Sequence, residues 1–306
     1  HPMSLNAIMA MRMLSVNSVK FTFHGVTAHA AADPHNGRSA LDAVELMNVG
    51  ANYLREHITT ECRLHYSITN GGGEPNVVPA TAQVWYYIRA PRRSDVEEVY
   101  GRLKKIAEGA ALMTETSFDI EFLSGTHDLM PNDTLGNTMV EALKEVGAPN
   151  WDAEDYAYAD KITASLQPGM KEGMVKQFGF PPEFAKMTLH DSIMPMLLKS
   201  DKVMPGSSDV GDVSYIVPTV FGGMTTSALG SPGHSWQNVA QAGSQIGFKG
   251  TIAAAKVMAL TALKLIENPE ILVKAKEEFQ EMTGGKPYKS PLPEGAKAPV
   301  HQFEGH

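Results

Sequence analysis

Three histidines lie close together in the run from His24 to His35, with His29 between them. Their separations of five and six residues do not place them on one face of a helix or a strand, so the spacing supports a metal site only weakly. We interpret His24 as the end of a strand and His35 as part of a turn. Alanines flank His29 and leave its imidazole unobstructed, which favours a role in ligand binding or catalysis for this histidine alone.

A fourth histidine, His234, lies in a tight Pro-, Gly- and Ser-containing loop of residues 232–236, just before a long helical stretch. The loop fixes the side chain and leaves it accessible, although a hydrogen-bonded structural histidine is the commoner outcome at such a position. Asp209 and Asp212 lie in a Gly- and Ser-rich loop. A pair of acids at that spacing can bind a metal, but turn and helix-cap roles are commoner for such residues.

Two further polar residues are candidates for substrate binding. Asn76 lies between Pro75 and Val77 in a Gly-rich turn, where asparagine is common for conformational reasons alone. Arg89 lies near the end of a predicted strand, on the face opposite the apolar residues, where a solvated arginine is the default. The alternative is that its planar guanidinium binds a carboxylate.

Composition and charge exclude several classes of protein. The 306 residues carry a net charge of −8, and 43% hydrophobic with 20% charged residues is typical of a soluble globular chain. No Lys/Arg run offers a surface for nucleic acid or an anionic membrane, and the apolar stretch 252–266 is short for a membrane span. A single cysteine, Cys62, excludes an intramolecular disulfide. Since no leader sequence is evident, we expect a cytoplasmic protein with no nucleic-acid or membrane partner.

Alternation of apolar and polar residues predicts four strands, and helical spacing predicts two helices between them. The predicted order is strand, helix, strand, strand, helix, strand across residues 17–124. This is the ferredoxin-like βαββαβ arrangement, in which both helices pack on a single face of one sheet. The other face of the sheet is left for water or for a partner.

The rest of the chain predicts a second domain. Residues 1–16 and 128–306 are expected to form one α/β body, into which the ferredoxin-like domain of residues 17–127 is inserted. Within this body we predict a strand over residues 213–221 and a long Ala-rich helix over residues 241–267. The fold class is therefore α/β, with an inserted ferredoxin-like domain.

Four motifs stand out when the chain is taken as a whole, two in the ferredoxin-like region and two in the C-terminal half. They are Gly25–Ala31 with Pro34, His35, Gly37 and Ala40–Ala43; Gly72–Pro79 with Ile88 and Arg89; Ser208 with Asp209; and Gly233–Ser235. Together they resemble the motifs of the aminoacylase and carboxypeptidase G2-like metallopeptidases, and in particular the branch of amidohydrolases that cleave N-acyl amino acids. The resemblance covers most of the chain, and the motifs occur in the family's order.

The resemblance implies a role for each candidate residue. Two divalent metal ions, zinc or manganese, and a glutamate base activate a water that attacks the amide carbonyl. The inserted domain is a lid that forms the dimer, and His29 and Asn76 reach across to the neighbouring subunit's site, where the histidine polarises the scissile carbonyl. Arg89 holds the carboxylate of the substrate, and His234 and His1 correspond to metal ligands.

This sequence also departs from the family. The family's His/Cys-x-His metal motif and its Glu-Glu pair precede the lid, and nothing here matches them, so His1 and His234 cannot complete a dinuclear site. We therefore expect this chain to be the C-terminal part of such a hydrolase and to be inactive alone. The implied reaction cleaves the amide bond of an N-acyl amino acid of the aminobenzoyl type. Glutamate is the amino acid that we expect. The alternative is a non-catalytic subunit of a homodimer or heterodimer that donates His29 and Asn76 to a partner's site.

Overall fold

The chain forms two compact units in a computed structural model that describes residues 1–194 and 203–296. Four stretches that the sequence analysis assigned to the α/β body lie in the same unit as the ferredoxin-like region: residues 12–16, 128–129, 203–216 and 287–296. Leu14 donates a backbone hydrogen bond to Gly206 at 2.8 Å, and the imidazole of His127 donates to the carbonyl of Lys289 at 2.9 Å. Of the described residues, unit 1 contains 1–11, 130–194 and 217–286, and unit 2 contains 12–129, 203–216 and 287–296.

The described residues contain seven strands and nine α-helices. The strands are β1 (Pro2–Met3), β2 (Ala7–Met9), β3 (Ser15–His24), β4 (Arg63–Asn70), β5 (Thr81–Ala90), β6 (Ser117–Thr126) and β7 (Phe221–Thr225). The helices are α1 (Ala40–Leu54), α2 (Arg93–Thr114), α3 (Asp133–Val146), α4 (Ala153–Ala164), α5 (Met170–Phe178), α6 (Val210–Ser214), α7 (Trp236–Ala242), α8 (Gln245–Glu267) and α9 (Pro269–Thr283).

Unit 2 is built on a four-stranded antiparallel sheet in the order β4-β5-β3-β6. The helices α1 and α2 pack on one face, so the predicted ferredoxin-like βαββαβ fold is confirmed. Alternate residues of β3 are fully buried on that face, among them Phe21 and Phe23. Ser39 caps α1, because its hydroxyl accepts a hydrogen bond from the Asp42 amide. The opposite face carries the other alternates of each strand, which are mostly polar but include Trp85 and Tyr87 of β5.

The predicted strand over residues 213–221 is wrong. The chain there begins with the end of α6, and β7 starts only at Phe221. The Asp212 amide donates to the carbonyl of Asp209 at 3.0 Å, which closes a helical turn just before the apolar alternation that suggested an extended chain. Pro218 has no amide hydrogen, so it cannot donate to a sheet ladder.

Unit 1 is built on a small sheet in which β7 is parallel to β1 and antiparallel to β2. The buried Asn6 organises this sheet, because its side-chain oxygen accepts from the Thr225 amide at 2.8 Å. Its side-chain amide donates to the carbonyls of His190 and Ser192 at 3.1 and 3.0 Å. The imidazole of His190 is also buried, and loss of hydration lowers the pKa of this histidine below its ordinary value.

The helix predicted over residues 241–267 begins at Gln245 instead. Ser244 caps it by accepting from the Ile246 amide at 3.2 Å, and the separate helix α7 precedes it. The helix α8 packs with α3 over an apolar cluster that includes Leu143 and Val257. Among the described helices, α8 alone has the length and apolar composition that a membrane span requires, and core helices of soluble proteins also have both.

Candidate active site

The loop that carries His29 returns to its own starting point. The strand β3 ends at His24, and Val26 and Arg38 then exchange two backbone hydrogen bonds of 2.8 and 2.9 Å. Gly25 is required at this crossing, because a Cβ there would lie 1.9 Å from the carbonyl oxygen of Arg38. The base of the loop is therefore closed by its own backbone.

The loop that carries Asn76 is hydrogen-bonded to the first one. The Ala30 amide donates to the carbonyl of Asn76 at 2.9 Å, and the Val78 amide donates to the carbonyl of Ala28 at 2.9 Å. The side chain of Asn76 is exposed and makes no hydrogen bond to any residue that the structure describes. The two motifs of the ferredoxin-like region thus form a single structure that leaves this amide free.

Two backbone amides orient the imidazole of His29. The amides of Ala31 and Ala32 donate to Nδ1 at 3.2 and 3.1 Å. A ring nitrogen that accepts hydrogen bonds carries no hydrogen, so the neutral imidazole has its proton on Nε2. The side chain is exposed, and Nε2 has no acceptor within the described part of the chain. The loop therefore presents one oriented N–H donor to solvent.

The other two histidines of this run pair with carboxylates. Nε2 of His24 lies 2.9 Å from a carboxylate oxygen of Asp119 on β6, and Nε2 of His35 lies 3.4 Å from a carboxylate oxygen of Asp33. These contacts agree with the interpretation of His24 as the end of a strand and of His35 as part of the turn. Of the three, only His29 has no carboxylate of a described residue beside its Nε2.

Arg89 lies on the open face of the unit 2 sheet. Its Nη1 donates to the hydroxyl of Ser207 at 3.2 Å, and its guanidinium lies 5.5 Å from the ring centroid of Tyr87. No carboxylate of residues 1–194 or 203–296 forms an ion pair with it, so most of its donors remain available to an anion. Sequence reasoning missed Ser207, because 118 residues separate the two and no local pattern marks the contact.

The two predicted metal ligands lie in unit 1, apart in sequence from the residues above. His234 is exposed and has a φ of 54°, a left-handed conformation that costs a non-glycine residue about 1 kcal/mol or more. The Nδ1 of His1 donates to the carbonyl of Pro2 at 2.7 Å, which leaves Nε2 as the ring atom that a metal would bind.

The described residues do not fit a site for two divalent ions. Nowhere in residues 1–194 and 203–296 do three His, Cys, Asp or Glu side chains gather as a ligand set, whereas a zinc site takes at least three protein ligands. Asp209 immediately precedes α6, and Asp212 accepts hydrogen bonds from the Tyr288 hydroxyl at 3.0 Å and the His127 amide at 3.3 Å. Asp209 thus flanks α6 and Asp212 lies within it, bonded to neighbouring groups, and the metal interpretation of this pair finds no support.

Comparison with known proteins relates unit 2, with its paired loops, to a described protein domain. Residues 15–114 match the family described as the peptidase dimerisation domain. Over 303 residues the chain is 40% identical to a subunit of the p-aminobenzoyl-glutamate hydrolase of Escherichia coli (strain K12), a match that covers 96% of this chain and 63% of that protein. Over 288 residues it is 30% identical to Xaa-Arg dipeptidase of Mus musculus, covering 92% of this chain and 54% of the relative.

A solved structure shows the same fold. An amidase of the hydantoinase/carbamoylase family from Burkholderia vietnamiensis superposes with a TM-score of 0.51 at 13% identity, covering 84% of this chain and 50% of the other. The chain is similar to these hydrolases and its residues 15–114 match the peptidase dimerisation domain, so the resemblance predicted from the four motifs is confirmed. It spans less than two thirds of the length of the curated relatives described above.

Proposed function

We propose that this chain is part of an amidohydrolase that cleaves the amide bond of an N-acyl amino acid. The observation that carries the proposal is the oriented Nε2–H of His29, which is exposed in the same pair of loops as the free side-chain amide of Asn76. Donors of this kind bind the carbonyl oxygen of an amide and stabilise the oxyanion that develops when water attacks its carbon.

In this reaction water adds to the carbonyl carbon, the C–N bond breaks, and the nitrogen of the departing amino acid takes up a proton. His29 and Asn76 donate hydrogen bonds to the oxyanion, and Arg89 binds the carboxylate of the amino acid. The described residues do not fit the two divalent ions that the family resemblance implies. The three residues therefore account for substrate binding and charge stabilisation, and activation of the water is assigned to none of them.

Unit 2 has a surface suited to a second copy of the chain. The strand β4 is an edge strand that pairs only with β5 in the described sheet, so one side of its backbone is unpaired. On β4 itself, Tyr66 and Ile68 are large apolar side chains with exposed fractions of 37% and 43%, and α1 of the same unit exposes Val49 and Tyr53. An open strand edge next to apolar side chains is an association surface. The match to a dimerisation domain supports the proposal that a second copy, or a paralogous subunit, occupies it.

The proposed substrate is an aminobenzoyl-type conjugate of glutamate. The relative with 40% identity is named for hydrolysis of p-aminobenzoyl-glutamate, and the match covers nearly the whole of this chain. The unpaired guanidinium of Arg89 supports a substrate with a free carboxylate. In the dimer, the loops of His29 and Asn76 serve the active site of the neighbouring subunit.

A second candidate is a non-catalytic subunit that donates His29 and Asn76 to a partner's active site. The exposure of both side chains in their paired loops supports it. Metal analysis of the intact, purified protein separates the two candidates. About two divalent ions per active site support the enzyme, and their absence supports the donor subunit.

The kinetic test of the enzyme uses hydrolysis of p-aminobenzoyl-glutamate by the intact protein. We expect His29→Ala to lower kcat by about 10²- to 10³-fold, the usual effect of removing one oxyanion donor, with little change in KM. The matched control is His35→Ala, which removes an exposed histidine from the same loop and leaves the Nδ1 contacts of His29 intact. A kcat unchanged by His29→Ala contradicts the proposal.

A further inference from the structure

Positive charge is concentrated on one part of the open face of the unit 2 sheet. Arg63 of β4 is directly opposite Arg89 of β5, and His65 is directly opposite Tyr87, so the two arginines and His65 share this face. Arg55, which follows α1, also lies close by, because its Nη2 donates to the carbonyl of Leu64 at 2.6 Å. We call Arg63, His65 and Arg89 the cationic cluster.

The cationic cluster has no acidic partner, unlike the rest of the same face. Lys20 lies 3.8 Å from a carboxylate oxygen of Glu121, and His24 lies 2.9 Å from one of Asp119. By contrast, no carboxylate in the described part of the chain forms an ion pair with either arginine of the cluster. Like charges directly opposite each other in a sheet are unfavourable. A bound anion would remove that cost.

The guanidinium groups are held in place by neutral acceptors only. Arg63 donates through Nη1 to the carbonyl of Cys62 at 2.8 Å and to that of Thr60. Arg89 donates through Nη1 to the hydroxyl of Ser207. A guanidinium has five N–H donors, so each arginine keeps several for a ligand. Both guanidinium groups are thus oriented, and no described carboxylate neutralises their charge.

The pKa of His65 reflects the same concentration of positive charge. Partial loss of hydration, followed by the positive charges of Arg89, Arg55 and Arg63, lowers the pKa of His65 below its ordinary value. A carboxylate bound among these groups would act in the opposite direction and favour the charged imidazole. His65 therefore becomes a better hydrogen-bond donor to an anion once that anion is bound.

We infer that Arg63 and His65 are specificity-determining residues that bind a second carboxylate, so that the amino acid bound at Arg89 is dicarboxylic. The inference rests on the proposed function, in which Arg89 holds the α-carboxylate. Since Arg63 and Arg89 are direct neighbours across two strands, the two carboxylates must be joined by a short aliphatic chain. Aspartate and glutamate have that chemistry, and glutamine and apolar amino acids lack it.

The test measures binding of L-glutamate and of L-glutamine to the intact protein by isothermal titration calorimetry. We expect glutamate to bind about tenfold more tightly, since the two ligands differ only in the charge at the second site. Arg63→Gln should weaken the binding of glutamate about tenfold and leave the binding of glutamine unchanged. Arg89→Gln should weaken both ligands. Arg102→Gln is the control, because this exposed arginine of α2 already pairs with Glu98.

A second variant protects the test against misfolding. Arg63 anchors two carbonyls of the segment before β4, so its loss can disturb the fold, whereas the exposed His65 makes no hydrogen bond to a described residue. His65→Gln should reduce the preference for glutamate about threefold or more without changing the unfolding midpoint. Equal binding of glutamate and glutamine by the native protein overturns the inference, as does a preference that survives both variants. If the protein prefers glutamate but does not hydrolyse the amide, the proposed function is overturned and the inference about the second carboxylate stands.

Discussion

The carbonyl of Asn76 accepts a hydrogen bond from the amide of Ala30 at 2.9 Å. This bond places the loop of the proposed substrate-binding asparagine directly beside the loop of His29. The backbones that carry the two proposed oxyanion donors are thereby held side by side before substrate binds. Such preorganisation is what makes hydrogen-bond donors effective in stabilising a transition state.

The protonation of His29 is the first prediction. Because the amides of Ala31 and Ala32 donate to Nδ1, the neutral ring should be almost entirely the Nε2–H tautomer. The ¹⁵N chemical shifts of the ring, assigned by comparison with His29→Ala, measure this directly. A protonated Nδ1 in the neutral ring contradicts the orientation that these two hydrogen bonds impose. His35 provides the internal control, since neither of its ring nitrogens is held by a backbone amide.

Ser207 should position Arg89. We expect Ser207→Ala to raise KM about three- to tenfold with kcat nearly unchanged, because the hydroxyl orients a group that binds ground state and transition state alike. Ser207→Thr keeps the hydroxyl and should restore KM. The matched control is Ser208→Ala, since the Ser208 hydroxyl contacts Asp209 rather than Arg89. A fall in kcat without a change in KM would show that Ser207 acts in another way.

Gly25 should be indispensable to the His29 loop. Gly25→Ala would place a Cβ 1.9 Å from the carbonyl oxygen of Arg38, so we expect a loss of roughly 1–3 kcal/mol of stability together with reduced kcat. Gly109→Ala is the opposite case, because nothing lies within 4 Å of the added methyl group in α2. That change should stabilise the protein by about 0.5–1 kcal/mol. Urea unfolding of both variants checks the sign, and a neutral Gly25→Ala refutes the close approach.

The free energy of unfolding should decrease as the pH is lowered below 6.5. This is the ordinary pKa of histidine, which His190 has in the unfolded state. The folded state has a lowered pKa at His190, so the unfolded chain takes up its proton first as the pH decreases. The loss begins near pH 6.5, amounts to at most about 1.4 kcal/mol per pH unit for one proton, and ends below the folded-state pKa. Urea unfolding between pH 7.5 and 5 measures it. A His190→Asn variant that keeps the full slope contradicts the assignment to this residue.

The sequence was sufficient for the ferredoxin-like fold, because period-two and helical patterns are local properties of the chain. It also placed His29 and Asn76 in loops, since Gly, Pro and Asn mark turns. The direction of the His29 ring was beyond reach, because it depends on two backbone amides whose orientation follows from the folded loop. The roles proposed for His29, Asn76, Arg89, His1 and His234 remain predictions.

Contacts between distant segments were the part that sequence patterns did not predict. Ser207 and Arg89 meet only once the sheet and the loop before α6 have formed. The pairing of Arg63 with Arg89 depends on strand register, which shifts at an irregularity between Ile68 and Asn70. A difference of one residue in register would place Arg63 on the other face of the sheet. For that reason the cationic cluster emerges from the structure alone.

A mixed dimer shows whether His29 of one subunit acts in the active site of its neighbour, as we propose. One subunit carries His29→Ala and the other carries His234→Ala, each of which should inactivate its own homodimer. If His29 acts across the interface, one site of the mixed dimer receives an intact His29 and retains its own His234, so hydrolysis of p-aminobenzoyl-glutamate should return to about half that of the native dimer. If His29 acts within its own subunit, both sites are defective and no activity returns, which would contradict the claim.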